Sequence, residues 1–141
     1  MDLNHLYRQI VMDHAKNRRN HRELDQYTHK MHYKNPTCGD VMTMYARMND
    51  DRIEALTFVG DGCFISMASS SMFTTIANGK TITEVQALSE KVEDMIRNGT
   101  KIEDEALEEV MSLENVHQLP ARYNCALMPY QAFAKLFRTS S

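Results

Sequence analysis

The stretch VMTMYARMNDDRIEALTFVG, Val41 to Gly60, decides the fold. In its first half Met42, Met44, Ala46 and Met48 alternate with Val41, Thr43, Tyr45 and Arg47. Successive side chains of an extended chain point to opposite faces, so the alternation predicts a strand over 41–48. Asn49-Asp50-Asp51 is turn chemistry, because short polar side chains bond to nearby backbone and tolerate left-handed conformations. IEALTFVG, Ile53 to Gly60, reads as the next strand. Two strands joined by so short a polar turn form an antiparallel hairpin.

Upstream, YTHKMHYK (Tyr27 to Lys34) alternates weakly and stops at Asn-Pro, which reads as a short edge strand. Asp2 is placed to cap a helix from about Leu3 to Asn17, with Leu3, Leu6, Ile10 and His14 on one face. KNRRNHREL (Lys16 to Leu24) reads as a solvated loop. Downstream the period changes. Ile65, Met72 and Ile76 fit a helix over about 66–78, stopped by Gly79. Thr81 and Glu84 have capping-box spacing. Val85, Leu88, Val92 and Met95 then mark an amphipathic helix ended by Asn98-Gly99. Ile102, Ala106, Val110 and Leu113 mark another helix. Pro120 opens a last one, with Leu127, Tyr130, Ala134 and Phe137 on one face. A helix, three strands and then helices mean an α+β fold: a small three-stranded antiparallel sheet with helices packed on one face. No repeat or linker divides residues 1–141, so one domain is expected.

Composition narrows the function. The 141 residues are 43% hydrophobic and 25% charged, an ordinary globular balance. A net charge of −3 argues against a nucleic-acid binder. The N-terminus lacks the apolar run of a signal peptide, and no stretch approaches the roughly 20 apolar residues of a membrane span. A cytoplasmic chain with reduced thiols is therefore expected. Its three cysteines then read as ligands or nucleophiles rather than a disulfide framework. The 11 methionines fall at strand and helix spacing and read as core filler. The six histidines lie outside the cysteine motifs and read as packed or surface residues.

The hairpin brings two cysteine turns together. NPTCGD (Asn35 to Asp40) precedes one strand, and GDGC (Gly60 to Cys63) follows its antiparallel partner. Both turns therefore sit at the same end of the sheet. Cys38 and Asp40 are two apart and share a side of the chain, and Gly39 lets the backbone bend between them. Cys63 precedes a predicted helix, whose positive end favours a thiolate. In PARYNCALMPY, Pro129 opposes the carbonyl of Cys125, four residues earlier. This predicts a helix that kinks at Cys125 or starts after it. Three thiolates and a carboxylate complete a tetrahedral zinc site, and the same residues suit a [2Fe–2S] cluster. On spacing alone the reading stands level with three packed cysteines and a solvated Asp40. The Gly-Cys turns and the place of Cys125 tilt it toward metal.

LYRQIVMDHAKN, NPTCGD, GDGCFISMASSSM and LPARYNCAL, in that order, resemble the IscU-like (NifU N-terminal) family, in its SufU branch. The likeness runs from about Leu6 to Phe137, and the long segment between Cys63 and Cys125 is like that branch. The resemblance implies the IscU/SufU-like fold, zinc held by Cys38, Asp40, Cys63 and Cys125, and a role in iron–sulfur cluster biogenesis. It implies a zinc-dependent sulfur acceptor for a PLP-dependent, SufS-like cysteine desulfurase rather than a stand-alone enzyme, with Cys38 as the acceptor. Other iron–sulfur scaffold proteins are implied as further partners, and neither nucleic acid nor membrane. The alternative it carries is a scaffold that assembles a transient [2Fe–2S] cluster. A zinc hydrolase and a structural zinc domain stand behind these. Two positions bear on the choice. IscU scaffolds have histidine and SufU proteins usually lysine where this chain has Asn124. Arg122 matches a family position near the site, where a partner that steadies the ligands and a surface arginine packing its stem are equally good readings.

Overall fold

The computed structural model describes residues 3–37 and 39–138. The hairpin forms where the alternation requires it: β2 spans Val41–Asn49 and β3 Arg52–Asp61. They pair antiparallel from Val41 with Asp61 to Asn49 with Arg52, with a register irregularity between Arg47 and Met48. Asp50 turns the chain at φ 55°. The edge strand β1, His29–Lys34, pairs antiparallel with β2, and the sheet order is β1-β2-β3. Tyr33, Met42, Met44, Leu56 and Phe58 join the main core, which the helices complete. Tyr45 and Ala55 belong to the opposite face, where Leu24 from the preceding loop covers them.

Helix α1, Leu3–Lys16, matches the expected span; its Asp2 cap lies outside the described residues. Along the expected face Leu3 and Leu6 are exposed, and only His14 is buried. The His14 ring bonds the Ser71 hydroxyl at 2.8 Å and the Glu109 carboxylate at 2.9 Å. Helix α2, Phe64–Ala77, is buried nearly all round, between α1, α4 and β3. Alanine and serine let those neighbours approach. The buried hydroxyls are satisfied locally, Ser70 donating to the Ser66 carbonyl and Thr74 to that of Ser70. Helix α3, Ile82–Asn98, has the expected capping box between Thr81 and Glu84 and a left-handed Gly99 at its end. It buries Val85, Leu88, Val92 and Met95, each contributing about 1.5–3 kcal/mol.

Two expectations need correction. Residues Glu105–Gln118 form a 3₁₀ segment interrupted at Glu108 (φ 49°, ψ −121°), not an α-helix. The buried residues explain it: Leu107, Val110, Leu113 and Val116 recur every third position. Three residues per turn stack such a series on one side, whereas an α-helix would wind it away from the core. The second correction concerns α4, Tyr123–Leu136, which follows a 3₁₀ turn at Pro120–Arg122. It starts before Cys125 and runs through Pro129. Cys125 is therefore regular helix in the first turn, and Pro129 withholds only one N–H from that turn.

Among the described residues no helix is long and apolar enough to cross a membrane.

Candidate metal centre

The sheet end where β2 begins and β3 finishes also receives the N-terminus of α2 and the first turn of α4. There the ligand atoms of Asp40, Cys63 and Cys125 lie within 4.8 Å of one another. Tetrahedral bonds of about 2.3 Å would put ligand atoms about 3.8 Å apart, so the three need draw in by at most about 1 Å. Side-chain rotation covers that distance. Two sulfurs and a carboxylate oxygen also form a donor set that suits a borderline-soft divalent ion. Cys38 lies outside the described residues. Its neighbours Thr37 and Gly39 belong to the loop that ends at Asp40, and Gly39 has φ 77°.

Each side chain is placed by its element. Cys63 is the N-cap of α2, and its Sγ accepts the Ser66 N–H at 3.5 Å. Asp40 reaches the same helix end. Its Oδ2 accepts from the Ser66 hydroxyl at 2.8 Å and from the Cys63 N–H at 3.3 Å. A Cβ on Gly62 would lie 2.9 Å from that oxygen, so any larger residue there forces the carboxylate to shift. Cys125 is buried, and the Ser69 hydroxyl donates to the Ala126 carbonyl beside it.

Of its two readings, Arg122 takes the one that faces the cysteine group. Its Nη1 lies 4.0 Å from Cys125 Sγ. That contact, together with the negative charge of Cys63 and Cys125, raises the guanidinium above its ordinary pKa. Sequence reasoning passed over Ser66 and Asn35. Ser66 carried a signal, since it stands three residues after Cys63, the spacing at which an N-cap meets a backbone N–H. The bond from Asn35 to the Asn124 carbonyl carried none, because it spans 89 positions of sequence.

The profile of the NifU-like N-terminal domain matches residues 6–128. The chain belongs to this family. The zinc-dependent sulfurtransferase SufU of Bacillus subtilis (strain 168) is 37% identical over 134 residues, covering 95% of this chain and 90% of the relative. The iron–sulfur cluster assembly scaffold protein IscU of Streptococcus pyogenes serotype M1 is 35% identical over 139 residues, 99% of this chain and 87% of that one. Among solved structures, a candidate iron–sulfur cluster assembly scaffold protein for the SUF system from Fervidobacterium islandicum AW-1 superposes with a TM-score of 0.85. It is 27% identical and covers 96% of this chain and 98% of its own. This NifU-like fold is the expected small antiparallel sheet with its helices.

Proposed function

We propose that this NifU-like protein serves iron–sulfur cluster biogenesis as a zinc-dependent acceptor of persulfide sulfur from a cysteine desulfurase. One observation carries the reading: Asp40, Cys63 and Cys125, remote in sequence, bring a carboxylate and two sulfurs within 4.8 Å. Cys38, two residues before Asp40, is the third thiol of the proposed ligand set and the acceptor. Bound zinc would keep the ligand thiols deprotonated and nucleophilic at neutral pH.

In the transfer the Cys38 thiolate attacks the outer sulfur of the donor's persulfide. A new S–S bond forms on Cys38, the donor's S–S bond breaks, and the donor cysteine leaves as its thiolate. The sulfur keeps its oxidation state, so no redox partner is needed. Asp40, Cys63 and Cys125 stay in place meanwhile. Ser66 and the Cys63 N–H hold the carboxylate, and Arg122 balances the sulfur charge.

The scaffold reading is kept by the name of the Streptococcus relative. Asn124 favours sulfur transfer over it: a neutral amide tied to Thr37 and Gln131 adds no ligand for iron. The test is incubation with a cysteine desulfurase and cysteine, followed by alkylation and mass mapping. The expected product carries one added sulfur on Cys38, and Cys38→Ala abolishes it while some zinc is retained. Sulfur found on Cys63 or Cys125 instead, or sulfur uptake that survives in Cys38→Ala, refutes the acceptor role. A stable visible chromophore after anaerobic reconstitution with iron and sulfide would favour the scaffold.

A further inference from the structure

We infer that Asn35 is a positioning residue for the metal centre, fastening the loop that carries Asp40 to the helix that carries Cys125. The inference rests on the metal reading above. Asn35 is polar yet 0% exposed, and a buried amide must be fully bonded. Both its backbone groups and both ends of its side chain are engaged. Its N–H donates to the Asp40 carbonyl at 2.8 Å, and its own carbonyl accepts from Gly39 N–H at 3.0 Å. Its Oδ1 accepts the Thr37 N–H at 3.0 Å. These three bonds close the loop on itself. The fourth leaves it: Nδ2 donates to the Asn124 carbonyl at 2.8 Å, across 89 positions of sequence. Asp40 and the residue before Cys125 are thereby joined through one residue, by its backbone N–H on one side and its side-chain amide on the other.

A second tie runs beside the first. Asn124 Nδ2 donates to the Thr37 hydroxyl, and Asn124 Oδ1 accepts from Gln131 Nε2 at 3.2 Å. Gln131 Oε1 accepts from the Tyr33 hydroxyl at 2.9 Å, and Tyr33 stands two residues before Asn35 on β1. These bonds and the backbone between Tyr33 and Asn35 form a closed ring through Gln131 and Asn124. A ring of satisfied, partly buried bonds has one arrangement and resists change in the spacing it spans. That spacing separates Asp40 from Cys125. Residues behind metal ligands that orient them are worth about 10–100-fold in affinity.

Asn35→Asp tests this. The substitution keeps the shape and the acceptor for Thr37, but turns an acceptor toward the Asn124 carbonyl. The variant is assayed at a pH high enough to ionise the new carboxyl, so that it cannot donate to the Asn124 carbonyl; its negative charge would by itself favour a cation, so weaker binding there reports the broken tie. The readouts are zinc affinity by chelator competition, the visible spectrum of the cobalt-substituted protein, and the melting temperature with and without zinc. Affinity is expected to fall about 10–100-fold, the cobalt thiolate bands to shift, and the zinc-induced rise in melting temperature to shrink. Gln131→Leu breaks the second tie without touching the loop and should move the same readouts in the same direction by less. Equal loss of melting temperature in both forms, with affinity and cobalt spectrum unchanged, overturns the inference and leaves Asn35 a residue of the fold only. If Asn35→Asp does not fold, an unchanged cobalt spectrum in Gln131→Leu overturns it. A wild-type protein that binds neither zinc nor cobalt defeats the metal reading and this inference with it.

Discussion

Gly62→Ala is the sharpest probe of the centre, because the atoms nearest the added methyl group belong to Ser66 and Asp40. Its Cβ would lie 2.6 Å from Ser66 Oγ, 2.8 Å from Asp40 Cγ and 2.9 Å from Asp40 Oδ2. Ordinary contacts to carbon begin near 3.5 Å, so the carboxylate and the hydroxyl must withdraw by roughly 0.7 Å. A bond of about 2.1 Å from a carboxylate oxygen to zinc does not survive a shift of that size unstrained. Overpacking costs about 1–3 kcal/mol. Taken out of metal binding, about 1.4–2.8 kcal/mol raises Kd by about 10–100-fold. Chelator competition for zinc measures it. Gly79→Ala is the control. Gly79 has φ 82° and nothing near its missing Cβ, so that variant loses about 1 kcal/mol of fold stability and no zinc affinity. If Gly62→Ala holds zinc as tightly as wild type, Asp40 is not a ligand in the place assigned to it, and the reasoning fails.

Two further outcomes concern the scaffold beneath the site. The Glu84 carboxyl is held below its ordinary value of 4.5, first by the Thr81 backbone N–H and then by the Thr81 hydroxyl. A depressed carboxyl contributes stability that is complete above its unfolded value and lost as pH falls through the folded one. Glu84→Gln should therefore be less stable than wild type at neutral pH and converge with it in acid; parallel denaturation curves at all pH values would exclude the capping charge. Phe73 is fully buried and packs edge-on against Tyr130 and Phe133. Phe73→Ala should lose about 3–5 kcal/mol in urea denaturation, and a loss under 1 kcal/mol would mean that α2 and α4 do not share this core.

What sequence alone determined is what local chemistry controls. Alternation between Met42 and Met48 and the Asn-Asp-Asp turn specified the hairpin, because side-chain period and turn propensity act over a few residues. The Thr81–Glu84 box and Gly99 bounded α3 for the same reason. The hairpin also implied that the turns carrying Asp40 and Cys63 are neighbours, since antiparallel strands return the chain to its starting end. Tertiary structure decided the rest. The 105–118 segment became 3₁₀ because the core takes Leu107, Val110, Leu113 and Val116 at every third position, a periodicity that four apolar residues chosen at helical spacing concealed. Cys125 lies in the first turn of α4, which starts at Tyr123 and runs through Pro129, so of the two readings proline left open the start after Cys125 is the one that falls. The bonds from Ser66 to Asp40 and from Asn35 to Asn124 span 26 and 89 positions. A hydrogen bond acts over a few ångströms of space, and no pattern along the chain records which distant groups the fold will bring within that reach.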